Sequence, residues 1–252
     1  MTNSKQTETL AQSQQPIQQM RIIHLKDLRA HPDLREAPRA AEGEPSFELL
    51  IEHNRQYCDE YRNNALFEFI QSGRLDDNRC RQRFLDAVQV WSNWFQKAMM
   101  ARSVFNEDPR FVSLFQQHLD EEYGHNTKLA AGRGGQREPL WDPILEATST
   151  WFAWKMFSLD NLEKTVLIHL VLEAAASTFF PVAQPIMDVY HETNYFTHHN
   201  EADDEHAAMA LEYLKGYQPE IYRRLMRVQK EGWEMFNTLC ARMVALADEA
   251  PG

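Results

Sequence analysis

The chain has 252 residues, 43% of them hydrophobic and 25% charged, enough to bury a substantial core as one large domain. Its formal net charge of −11 argues against nucleic acid or an anionic membrane as the main partner, since both call for clustered Lys and Arg. With 9 glycines and 11 prolines the chain is not broken into many turns, which argues against a strand-dominated architecture.

Six glutamines between Gln6 and Gln19, with Pro16 among them, mark residues 1–20 as a disordered N-terminal tail. Residues 21–45 read as an irregular lead-in carrying Ile22, Ile23 and prolines at 32, 38 and 45. A helical domain is expected over 46–248. Ser46 caps a first helix running to about Ser72, with Phe47, Leu50, Ile51, Tyr57, Tyr61, Leu66 and Phe67 as its inward stripe and Gly73 as its stop. A second helix spans about Asp77 to Phe105 on Phe84, Val88, Trp91, Trp94, Phe95 and Met99. A third runs from about Asp108 to Leu129 and ends at Gly132, Gly134 and Gly135. Pro139 and Pro143 open a fourth, ending near Phe157. Residues 160–190 form a long helix that is apolar almost all round, expected to cross the centre of the fold with kinks at Pro181 and Pro185. A sixth begins near Glu192, and a seventh covers about Pro219 to Ala247.

Cys58, Cys80 and Cys240 stand far apart with no CxxC, so neither a disulfide framework nor a zinc ribbon is indicated. No apolar run of about eighteen residues and no apolar signal core at the N-terminus are expected, which points to a cytoplasmic location.

Three stretches carry candidate chemistry. In HNEADDEH, His199, Asp203 and His206 fall at i, i+4 and i+7, within about 60° on a helix, offering two imidazoles and a carboxylate. Such a group suits a first-row transition metal, although the acidic run also reads as a solvated face. In HLDEEYGHN, Glu122 and His125 stand at i and i+3, the spacing by which bundle helices present ligands to a dinuclear centre; Glu121 and His118 lie near the same face. A surface Glu–His pair is the plainer reading. Glu173 sits in VLIHLVLEAAASTFF with no wet face beside it, and a buried carboxylate costs several kcal/mol unless compensated. Either a cation or His169, one turn earlier, could compensate it. Together Glu122, His125, Glu173, His199, Asp203 and His206 supply three carboxylates and three imidazoles, a number that suits two metals. Oxygen and nitrogen donors without thiolate favour iron or manganese.

On these residues the chain resembles the heme-oxygenase-like diiron oxidases and oxygenases, a branch of the heme-oxygenase and thiaminase II superfold. The resemblance covers roughly residues 46–248 and rests most specifically on HxxxDxxH (His199, Asp203, His206) preceded by the lone Glu173, with DEEYGH similar to the family's earlier motif. It implies an all-α, seven-helix heme-oxygenase-like bundle. It also implies two Fe(II)/Fe(III) ions, with manganese as the alternative, that bind O2 as a peroxo-diiron(III) species and oxidise a small molecule. The family's reactions include N-oxygenation, desaturation, oxidative decarboxylation and carbon–carbon cleavage on amino-acid- or fatty-acid-like substrates. The E-x-x-H form selects Glu122 as ligand and the register from the glycine selects Glu121. His118 then becomes a neighbouring donor or part of the substrate site. Trp91, Phe95, Phe180, Tyr190, Tyr195 and Phe196 are the pocket candidates. The partners expected are a small-molecule substrate, with room for an external electron donor and a homodimer, and neither nucleic acid nor membrane.

Four other readings compete. A metal-free thiaminase II-like hydrolase needs a nucleophilic cysteine, Cys58 or Cys240. A heme oxygenase needs an axial histidine, for which His53 is the candidate. A ferritin-like bundle would pair Asp203 and His206 with Glu122 and His125 but needs a further carboxylate. A non-catalytic helical scaffold or metal-binding module needs no turnover at all.

Overall fold

Helix starts in this chain are set by short polar side chains that accept from the first free amides. Ser46 Oγ accepts from Leu49 N, Asp77 Oδ1 from Arg79 N, and Asp142 Oδ1 from Ile144 N and Leu145 N. In the computed structural model, which describes residues 43–134, 138, 140–190, 193–197 and 210–249, the elements are all helical and no strand occurs among the described residues. They are α1 (Phe47–Tyr61), α2 (Ala65–Gln71), α3 (Asn78–Val104), α4 (Val112–Glu122), α5 (His125–Gly132), α6 (Pro143–Ser158), α7 (Asn161–Thr165), a π-helical segment (Val166–Glu173), α8 (Ala174–Met187) and α9 (Pro219–Asp248), with short 3₁₀ turns between. Ala40–Gly252 forms one unit by its contacts.

Two of the expected helices are divided. The first breaks at residues 62–64, where Asn64 adopts an extended conformation and its Oδ1 accepts from Leu66 N to start α2. The third breaks at Gly124, whose φ of +89° is the left-handed conformation that glycine takes without steric cost, so Glu122 closes α4 and His125 opens α5. Apolar periodicity runs through both breaks, which is why the sequence reads as continuous there. The expected start of the sixth helix and most of its length lie outside the described residues, as do the tail over 1–20 and nearly all of the lead-in.

α3 packs on α6 and α4, and α9 lies across α3, α6 and the π-helical segment. Their shared core holds an aromatic cluster of Tyr61, Trp91, Phe152, Trp233 and Phe236. The π-helical segment is buried at every position. Asn161–Tyr190 is one helical run long and apolar enough by composition to cross a membrane, which corrects the expectation that no such run exists; 72% of its most apolar stretch is buried inside the fold, as a core helix is. Pro181 and Pro185 lie inside α8, and the departure from α geometry comes earlier, at Val166–Glu173. A π-helical stretch is rare and is frequently found at functional sites.

Candidate metal centre

The π-helical segment directs two polar side chains into the centre, His169 and Glu173. α4 brings His118 and Glu122 against them, α5 contributes His125, and α3 inserts Arg102. Arg102, His118 and His169 are completely buried, and Glu122, His125 and Glu173 nearly so. The turn at Gly124 makes the α4–α5 arrangement, because it lets Glu122 and His125 meet across the break, with His125 Nδ1 2.9 Å from Glu122 Oε2. Gln96 of α3 holds that turn, its Oε1 accepting from Gly124 N at 2.7 Å. His118 Nε2 lies 3.2 Å from Glu173 Oε1. One ligand atom each from His118, Glu122 and Glu173 lie within 4.8 Å of one another, so this buried His/Glu/Glu group could hold a metal ion.

Electrostatics favour a cation here. With both carboxylates ionised, the Arg102 guanidinium balances only one of them, and an uncompensated buried charge costs several kcal/mol. Burial pulls Arg102 down to about 9, partly offset by Glu173 and Glu122, so it stays protonated at neutral pH. Burial also lowers the His118 imidazole, against the opposing pull of Glu173, and keeps it neutral. Arg102 reaches both imidazoles, with Nη2 2.9 Å from His118 Nδ1 and Nη1 3.1 Å from His169 Nε2, while its guanidinium lies 4.6 Å from the centre of the Phe115 ring.

Glu173 also lines an apolar cavity of about 70 Å³, walled by Trp91, Phe95, Phe180, Tyr195 and Phe196 among others. No family model matches the chain. Over 199 residues it is 34% identical to the uncharacterized protein RP592 of Rickettsia prowazekii (strain Madrid E), a match covering 79% of this chain and 95% of the relative. The chain belongs to that protein's family. Among solved structures it is similar to a domain of unknown function with a heme oxygenase-like fold from Shewanella denitrificans OS217, with a TM-score of 0.58 and 16% identity over 77% of this chain and 90% of that one. The likeness shows the fold: the chain is a heme oxygenase-like helical bundle.

Of the sequence candidates, Glu122, His125, Glu173, His118 and His169 come together at this one centre, whereas Glu121 is exposed and accepts from Gln117 Nε2. His199, Asp203 and His206 lie outside the described residues. Tyr190 does not line the cavity; its hydroxyl donates to Asp76 Oδ1 and Arg81 stacks on its ring. His169, offered by the sequence as one alternative for compensating Glu173, also meets Arg102, its Nε2 lying 3.1 Å from Arg102 Nη1. The cysteines are poorly placed for nucleophilic work, which needs the thiolate. Burial raises the Cys58 thiol and pushes Cys240 up to about 12, beside the Tyr61 hydroxyl. Arg102 was missed from sequence. Its signal was position: it falls three residues after Met99 and seven after Phe95, on the apolar stripe of α3 where a charge needs a buried partner.

Proposed function

We propose that the chain is an O2-dependent non-heme diiron oxidoreductase that oxidises a small, largely apolar organic molecule bound in the cavity beside Glu173. The observation that carries the reading is a pair of buried carboxylates with imidazoles at hydrogen-bond distance, one carboxylate of which, Glu173, lines an aromatic-walled cavity. The donor set fits: oxygen and nitrogen ligands without thiolate suit iron or manganese. Glu122, His125 and Glu173 would hold metal from the described part of the chain, and the sequence offers His199, Asp203 and His206 as the remaining donors. Iron bound there supplies the electrons for dioxygen reduction.

The chain's own residues have three tasks. Glu122 and His125 act as one unit, because the Gly124 turn fixes their spacing and Gln96 fixes the turn. The wall of Trp91, Phe95, Phe180, Tyr195 and Phe196 excludes water and binds apolar substrate surface next to Glu173. Arg102 offsets part of the negative charge of the two buried carboxylates.

The test is anaerobic loading with Fe(II), iron counting, and stopped-flow absorbance on mixing with O2. Two irons per chain and a transient visible band are expected. Glu122→Ala and Glu173→Ala should each lower the stoichiometry, and the exposed Glu121→Ala should leave it unchanged. Absence of bound iron in the wild-type chain, or full loading of both buried-carboxylate variants, would overturn the assignment.

A further inference from the structure

Three imidazoles crowd this centre, and the hydrogen bonds around them distinguish their roles. A guanidinium has five N–H donors and no acceptor, so any ring nitrogen facing it must accept. His118 Nδ1 lies 2.9 Å from Arg102 Nη2 and is therefore the bare nitrogen of the ring. In a neutral imidazole the other nitrogen then carries the proton. That nitrogen, Nε2, lies 3.2 Å from Glu173 Oε1, so the carboxylate is within reach of its proton. We propose that Arg102 locks His118 as the Nε2–H tautomer, making His118 the positioning residue that orients the Glu173 carboxylate and not itself a metal ligand.

The geometry argues against ligation in a specific way. A metal-bound histidine ordinarily donates its second N–H to a carboxylate, carbonyl or water. If His118 bound metal through Nε2, its proton would have to sit on Nδ1, facing Arg102 donor to donor in a dry site. Removing the conflict would require moving Arg102. That side chain is completely buried, also bonded to His169 Nε2 and stacked on Phe115, so it has nowhere to turn. The same fork sets His169, whose Nε2 must also accept. Closeness of the His118, Glu122 and Glu173 ligand atoms is thus explained by a hydrogen bond to a ligand. His125, which meets Glu122 across the Gly124 turn, keeps the ligand role.

The role rests on Glu173 holding metal, and the experiment separates the two. The first measurement is a long-range ¹H–¹⁵N correlation of the imidazole rings in the full-length, metal-free, ¹⁵N-histidine-labelled chain, with His118→Gln identifying the His118 signals. A protonated Nε2 and a bare Nδ1 are expected, and protonation at Nδ1 would overturn the proposal. The second uses Zn(II) as a diamagnetic probe. The His118 Nε2–H should survive zinc loading, and loss of that proton with a metal-bound shift would overturn it. His118→Gln, whose amide can still donate, should keep the zinc stoichiometry, and Arg102→Lys should weaken affinity by about 10- to 100-fold, the usual effect of losing a group behind a ligand. Failure of the wild-type chain to take up zinc while the Nε2–H signal is present would overturn the functional reading and with it the positioning role. Because the tautomer measurement uses the wild-type chain, poor folding of a variant does not block it.

Discussion

α9 meets the π-helical segment at Gly232, and that contact connects packing to the centre. A Cβ added at Gly232 would lie 2.6 Å from Leu167 Cδ1 and 3.0 and 3.4 Å from the two methyl carbons of Val171. Carbon atoms in contact sit about 3.5–4.0 Å apart, so Leu167 would have to withdraw by about 1 Å, and Val171 by a few tenths. Neither has space, since both are completely buried, and Val171 is stiff at χ1. Gly232→Ala therefore sets a gain of about 1 kcal/mol in helix propensity against about 1–3 kcal/mol of overpacking. A net loss of up to about 2 kcal/mol is expected, which for a domain of this size is a Tm lower by up to about 8 °C. The strain falls on the segment that carries His169 and Glu173, so metal affinity should fall as well. Thermal unfolding with and without Zn(II) measures both. Adding Leu167→Val should recover part of the loss, with a coupling of about 0.5 kcal/mol or more in a double-mutant cycle. A Gly232→Ala variant as stable as wild type, with unchanged zinc affinity, would refute the claim that this contact fixes the π-helical segment.

Two further outcomes follow from buried ion pairs. Arg133 donates through Nε and Nη2 to Asp86 Oδ1 at 3.0 and 2.5 Å and ties the end of α5 to α3; Asp86→Ala should cost about 3–5 kcal/mol in urea unfolding, because it strands a buried guanidinium. Asp142 caps α6 and accepts from Arg242 Nε and Nη2 of α9, and the hydrogen bonds from Arg242 hold its carboxyl below the usual range. A depressed carboxyl adds stability that is complete above its unfolded value, about 3.9, and is lost as pH falls through the lower folded value. Asp142→Asn should therefore be less stable than wild type by about 1–2 kcal/mol at pH 7, with the gap closing below about pH 4; a gap that widens in acid would contradict the assignment.

The boundaries of α3, α6 and α9 were legible because their signals are local: Asp77 and Asp142 cap from within a few residues, and Pro143 and Pro219 stand in the first turn of their helices. The breaks at 62–64 and at Gly124 were not, since apolar spacing continues through them and only the backbone reveals the turn. Glu173 stood out as a lone charge in an apolar run, and Glu122 with His125 as a spaced pair. The pair nevertheless meets across a left-handed turn, whereas the spacing had suggested one face of a continuous helix.

What the sequence determined by itself was what depends on near neighbours along the chain: an all-helical bundle, a buried run with a carboxylate in it, and a set of nitrogen and oxygen donors without thiolate. The tertiary structure decided which of those donors face one another and what balances their charge. Arg102 lies 16 residues from His118 and 67 from His169, and no local pattern couples them. Their juxtaposition follows from packing α3 against α4 and the π-helical segment. In a dry core each buried proton must then find an acceptor, and that requirement sets the His118 tautomer.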